Sequence, residues 1–122
     1  QAQVAQVFLK RLSEGMKLGS DVTALYGAQY DGVALPDNAA EAAVIAIDHD
    51  SPYNTRMHSG LPPGPIATMN YSALEAVASP AKGEYLYFVA GDGDDAGRTF
   101  FSRTYEEHQA AVAAHCHTLC GN

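Results

Sequence analysis

Residues 51–66, SPYNTRMHSGLPPGPI, constrain this chain more than any other stretch. They hold four of its six prolines, with Gly60 and Gly64 set among them. Proline removes a backbone donor and fixes φ, so neither a helix interior nor a central strand can run through the segment. The residues before Pro62, Pro63 and Pro65 are pushed into extended conformations. Segment 60–66 is therefore expected to be a stiff, mostly extended loop with little entropy left to lose on ordering. Immediately before it stand Tyr53, Asn54 and Thr55, three hydrogen-bonding side chains in a row, one with an aromatic face. A rigid loop beside such a cluster suits a surface that holds a polar, ring-shaped ligand. A proline-stiffened connection without a ligand is the plainer alternative.

At 122 residues, 47% of them hydrophobic, the chain is one domain's worth with enough apolar material for a single core. Its net charge is −7, with only seven Lys and Arg. No basic run exists to release counterions, which argues against nucleic acid as a partner. No apolar run approaches a membrane span, and no signal-peptide pattern is present. The chain opens on Gln1-Ala2-Gln3, already helical in character and without Met, and reads as a piece of a longer protein. Cys116 and Cys120 are too few and too close to form a disulfide framework, so they do not report a redox compartment.

Val4, Val7, Phe8 and Leu12 fall on one face of a helix, with Gly15 as its terminator. Ser20 and Asp21 can cap a short helix through Thr23 to Tyr26. Tyr30-Asp31-Gly32 reads as a turn, and Asp37-Asn38 caps an alanine-rich helix over 39–47. In Asp48-His49-Asp50, consecutive side chains diverge, so a solvated turn is expected rather than a metal site. Asn70 or Ser72 caps a further helix that Pro80 ends. The run 84–89, EYLYFV, is the best strand in the chain, and 98–102 is its return partner. Between them GDGDDAG has the flavour of a calcium loop, but Ala96 and Arg103 stand where oxygen ligands are required, leaving a hairpin connection. Ser102 or Thr104 caps the last helix, whose inner side runs through Tyr105, His108, Ala111, Val112 and His115. His115, Cys116, His117 and Cys120 could hold zinc, although a frayed helix end is the simpler reading. The fold class is α+β: a small antiparallel sheet, a hairpin near 84–102, packed with several short helices.

The segments VAQVFLKRLSEGMKL, SDVTALYG, SPYNTRMHSGLPPGPI, SALEAVASPAKGEYLYFVA and TFFSRTYEEHQAAV together resemble the YceG-like family of endolytic murein transglycosylases. The resemblance runs from about residue 4 to about residue 112 in long, ordered motifs. Ser20, Asp21, Thr23, Tyr26 and Gly27 keep the family's pattern, whereas Gly19 replaces an expected glutamine and Val22 an expected proline. The stretch near 37–50 resembles a local insertion.

The resemblance implies a C-terminal portion, residues 1–122, of a larger catalytic domain. The family's catalytic glutamate is expected upstream of Gln1, so no catalytic residue is assigned here and the isolated chain is expected to be inactive. A groove for peptidoglycan glycan strands would be lined by Tyr53, Asn54 and Thr55, with Ser20, Asp21 and Thr23 facing them and Leu61, Pro62, Pro63 and Gly64 as a wall. Tyr53 would stack on a sugar and Asn54 would hydrogen-bond an N-acetyl or hydroxyl group. No cofactor or metal is implied. The parent would be a single-pass membrane protein with its enzyme domain on the extracytoplasmic face, with cell-wall synthases as possible partners. Two other readings stay open: a non-catalytic glycan- or protein-binding module of the cell envelope, and an aminodeoxychorismate lyase. The lyase needs pyridoxal phosphate and a Schiff-base lysine, and only Lys10, Lys17 and Lys82 exist.

Overall fold

A computed structural model describes residues 1–117. It contains five helices and one two-stranded antiparallel sheet, the α+β arrangement the sequence implies. The described chain divides into two compact units, one formed by Gln1–Lys10 with residues 69–117, the other by Arg11–Thr68. None of the described helices is long and apolar enough to cross a membrane.

Helix α1 (Ala2–Ser13) opens the first unit. Val7, at 1% exposure, is its deepest residue, and Ala5 and Gln6 are buried with it. The buried stripe is thus wider than the apolar positions alone indicate. Gln6 lies inside because its Nε2 donates to the carbonyl of Tyr85 at 3.1 Å, which removes the penalty for burying an amide. Phe8 meets Phe88 edge to face, with ring centroids 5.7 Å apart. Lys10 pairs with Glu84 at 2.7 Å, and that hydrogen bond holds the Glu84 carboxyl below its ordinary range.

Strands β1 (Tyr87–Ala90) and β2 (Thr99–Ser102) pair with Phe88 opposite Phe101 and Val89 opposite Phe100. The expected strand over 84–89 begins three residues late. Tyr85 gives its carbonyl to the α1 side chain of Gln6 instead of to a ladder, and Leu86 contributes one further bond, to the Ser102 carbonyl. The connection contains one short 3₁₀ turn, Gly93–Asp95.

Helix α4 (Tyr71–Ala78) starts on Asn70, whose side chain accepts from the Ala73 amide, and stops just before Pro80. Helix α5 (Tyr105–His115) starts on Thr104, which accepts from the Glu107 amide. Glu107 in turn accepts from the Arg103 amide, so orphan donors are satisfied on both sides of the cap. His108 stacks on Tyr87 at 5.2 Å and His115 lies flat on Phe100 at 3.6 Å, which places α5 across both strands.

In the second unit, helix α2 (Asp21–Tyr30) packs on α3 (Ala39–Ile47). Ala24, Ala28 and Ala46 form the contact, with Leu25, Val33, Leu35 and Ile47 around them. Such small residues let two helix backbones approach closely. Asn38 caps α3 by accepting from the Ala40 and Glu41 amides. α1 and α2 end alike: Gly15 (φ 72°) and Gly32 (φ 77°) take left-handed conformations. Met16 then bonds back to Arg11 and Val33 to Ala28, so each helix closes in a paired 6→1 and 5→2 motif.

Asp95 accepts from His115 Nδ1 at 2.8 Å and from Arg98 at 3.2 Å. The His115 hydrogen bond lowers the Asp95 carboxyl from its ordinary value of 3.8, against the opposing effect of desolvation. A carboxyl lowered in the folded state adds stability above its unfolded value, and that stability is lost as pH falls through the folded value. Asp95→Asn should therefore be less stable than wild type at about pH 6. It should also lose less stability between about pH 5 and about pH 2, as urea titrations across that range will read.

Candidate functional site

The proline loop is anchored on the start of α2 by a closed set of hydroxyl bonds. Thr23 Oγ1 donates its only proton to the Ser20 carbonyl at 2.6 Å. The Thr23 and Thr55 hydroxyls lie 2.7 Å apart, so Thr55 must be the donor between them. Thr23 Oγ1 also accepts from the Thr55 amide, and Thr55 Oγ1 accepts from the Ser20 amide. The Gly19 amide donates to the Thr55 carbonyl at 3.0 Å. Ser20 does stand at the N-cap position, but its side chain makes no capping bond. Its backbone, not its hydroxyl, serves the junction.

Asn54 ties the same loop to the far end of α3. Its Nδ2 donates to the carbonyls of His49 at 2.9 Å and Ile47 at 3.1 Å, with Ala46 more distant at 3.4 Å. Its Oδ1 accepts from the Arg56 amide at 3.0 Å. Ser51, Asn54 and Thr55 are 2%, 0% and 1% exposed. Of the polar residues that the sequence assigns to a groove, Thr23, Asn54 and Thr55 are thus buried, with their side-chain donors engaged. Asn54 and Thr55 hold the loop from beneath its surface.

Tyr53 is different. It is half-buried, and its ring lies 4.8 Å from Tyr26 and 6.2 Å from Tyr30. Tyr26 and Tyr30 are themselves stacked at 6.3 Å. The Tyr53 hydroxyl reaches the proline loop: a Cβ on Gly64 would lie 3.6 Å from it. Leu61 is 74% exposed, Pro63 is exposed, and Pro62 and Gly64 are half-buried. Asp21 is partly exposed and ion-paired with Arg56. Three tyrosine rings thus gather beside the loop 61–64 on this unit, next to the buried polar residues Asn54 and Thr55. Tyr26, Tyr30 and Arg56 are absent from the sequence-derived set. The tyrosines at i and i+4 on one helix were the available signal.

The Asp48-His49-Asp50 triplet diverges as its spacing implies. His49 pairs with Asp31 at 2.8 Å and Asp50 with His58 at 2.8 Å. Among the described residues, no three His, Cys, Asp or Glu side chains gather as a metal site; Cys120 lies outside them.

Gly27 is where loop and helix meet most closely. A Cβ there would fall 2.4 Å from Ser51 Oγ and 2.7 Å from Ser51 Cβ. Helix propensity favours Gly27→Ala by about 1 kcal/mol, yet the contact forbids it. Gly27→Ala should be destabilised by about 1–3 kcal/mol, with altered Tyr53 ring signals in NMR. Asn54→Ala leaves carbonyls of α3 and the following turn without their donor and should cost about 2–4 kcal/mol in urea denaturation. Asn54→Asp should cost more, since it aims a carboxylate at those carbonyls.

Residues 1–114 match the YceG-like family. A Bacillus subtilis (strain 168) protein named endolytic murein transglycosylase is 40% identical over 111 residues, covering 89% of this chain and 28% of the relative. A Streptococcus pneumoniae (strain D39) protein of the same name is 35% identical over 114 residues, covering 92% of this chain and 20% of the relative. The crystal structure of a yceG-like protein from Listeria monocytogenes superposes with a TM-score of 0.71 at 38% identity, over 89% of this chain and 32% of that one. The chain thus spans less than a third of the length of these relatives. With the match running through both units and through the anchored proline loop, the chain belongs to the YceG-like family.

Proposed function

We propose that this chain supplies the glycan-binding framework of an endolytic peptidoglycan lytic transglycosylase, the C-terminal portion of whose catalytic domain it forms. The observation that carries this reading is its 40% identity, over 111 residues, to a relative named for that activity. The enzyme would cut glycan strands without consuming water, leave anhydromuramyl ends and so limit nascent strand length.

The chemistry needs one carboxylic acid that protonates the glycosidic oxygen, then acts as base while the muramyl sugar's own primary hydroxyl attacks the anomeric carbon. The nucleophile belongs to the substrate, so a second catalytic carboxylate is unnecessary, in contrast to the usual glycosidase pair. An acid for this role is raised by an apolar setting. Glu84 and Asp95 are both lowered, the opposite direction. Glu14, Glu41, Glu75, Glu106 and Glu107 are exposed, and Asp21 is engaged by Arg56. We therefore place the acid outside this chain. Tyr53 and the loop 61–64 would face the glycan, the Asp21–Arg56 pair would border it, and Ser20, Thr23, Asn54 and Thr55 would fix the geometry.

The lyase reading lacks its lysine: Lys10 is tied to Glu84, and Lys17 and Lys82 are exposed on the surface. The alternative is a non-catalytic envelope module that binds glycan or protein. Placement of the parent on the extracytoplasmic face behind one membrane anchor, with synthases as partners, belongs to the same proposal.

Mass spectrometry of purified glycan strands after digestion will separate the readings. The expected result is anhydromuramyl ends from a version extended N-terminally by one helix and none from the 122-residue chain. Products from neither would favour the binding module, and products from the short chain would place the acid within it.

A further inference from the structure

We infer that Tyr26, Tyr30 and Tyr53 form a stacking subsite for a neutral pyranose ring, with Tyr30 as the outer ring that contacts the sugar face. The inference rests on the glycan-binding reading and specifies where on this chain a sugar unit sits.

The three rings close a triangle with sides of 4.8, 6.2 and 6.3 Å. Tyr30 is 73% exposed, so it contributes little to the core. A single exposed aromatic is ordinary; one braced by two others is a preformed apolar surface. Each corner is a tyrosine, so apolar faces are rimmed by hydroxyls. A pyranose has the matching character, a face of C–H groups within a rim of hydroxyls. The chain's net charge of −7 works against an anionic ligand and favours a neutral one.

The platform is also held rigidly. Tyr26 and Tyr30 are one turn apart on α2, which fixes their side-by-side placement. Gly27 lies next to Tyr26 and admits Ser51 and the Tyr53 Cβ against the helix backbone. Asn54 and Thr55, directly after Tyr53, are locked by the buried bonds described above. A tyrosine has only two side-chain torsions to restrict, so rings set in this way bind at low entropic cost.

The test uses isothermal titration of the whole chain with two probes: a chito-oligosaccharide and purified, peptide-free glycan strands. NMR of the tyrosine ring protons accompanies it. The wild type should bind, with shifts in the signals of all three rings. Tyr30→Ala should bind about tenfold more weakly at an unchanged urea midpoint, while Tyr30→Phe should stay within about twofold of wild type. If the wild type binds and Tyr30→Ala binds equally well, the subsite is wrong and the glycan reading survives. If Tyr30→Phe loses as much as Tyr30→Ala, a hydroxyl contact replaces stacking and the inference falls. If the wild type binds neither probe, the glycan reading fails and takes the subsite with it.

Discussion

One primary amide holds the candidate site in place. Loop 51–66 has no helix or strand of its own to satisfy its backbone, and its prolines donate nothing. Beyond its local turns and the Gly19–Thr55 backbone bond, its position comes from side chains reaching elsewhere. Asn54 reaches the last carbonyls of α3 and the turn beyond, groups that every helix leaves without partners. Thr55 reaches the opening of α2 and shares a hydroxyl network with Thr23. Two adjacent residues thus staple one loop to the two helices of its unit. A buried network of this kind is stabilising only when every member is satisfied, and here each hydroxyl proton and each amide hydrogen has an acceptor.

This arrangement divides labour between adjacent residues. Tyr53 turns outward into a ring cluster; Asn54 and Thr55 turn inward and are saturated. Presented and anchoring side chains are therefore separable in position although contiguous in sequence. Gly27 completes the design from the helix side, where the absence of a Cβ brings the loop within contact distance of the α2 backbone. The first unit uses the same device of a polar side chain on an irregular backbone: Gln6 takes the Tyr85 carbonyl, and the strand starts only after that point.

Most element boundaries were legible because their causes are local. Asn38, Asn70 and Thr104 cap their own helices within three residues. Gly15 and Gly32 end theirs through bonds to the preceding turn. Ser20 is the instructive exception. It occupies the N-cap, yet the Thr23 amide bonds to its carbonyl and not to its side chain, while its own amide donates to Thr55, 35 residues away. The strand at 84–89 is a second exception, because propensity names the residues fit for a strand and not the partner that will take each carbonyl. For the candidate site, the sequence singled out segments 20–23 and 51–64, but did not show that Thr23, Asn54 and Thr55 are buried.

By itself, then, the sequence determined the α+β class, the helix starts and stops, a proline-stiffened loop and the family to which the chain belongs. These depend on φ restrictions, capping chemistry and motif order, all readable within a few residues. Only the tertiary structure decided which polar side chains are spent and which are presented. Polarity is a property of the residue, whereas burial with satisfaction depends on acceptors that arrive from distant segments, as the Ile47 and His49 carbonyls do for Asn54. The clustering of Tyr26, Tyr30 and Tyr53 has the same origin: two rings come from one helix, and the third is delivered by a loop folded back onto it.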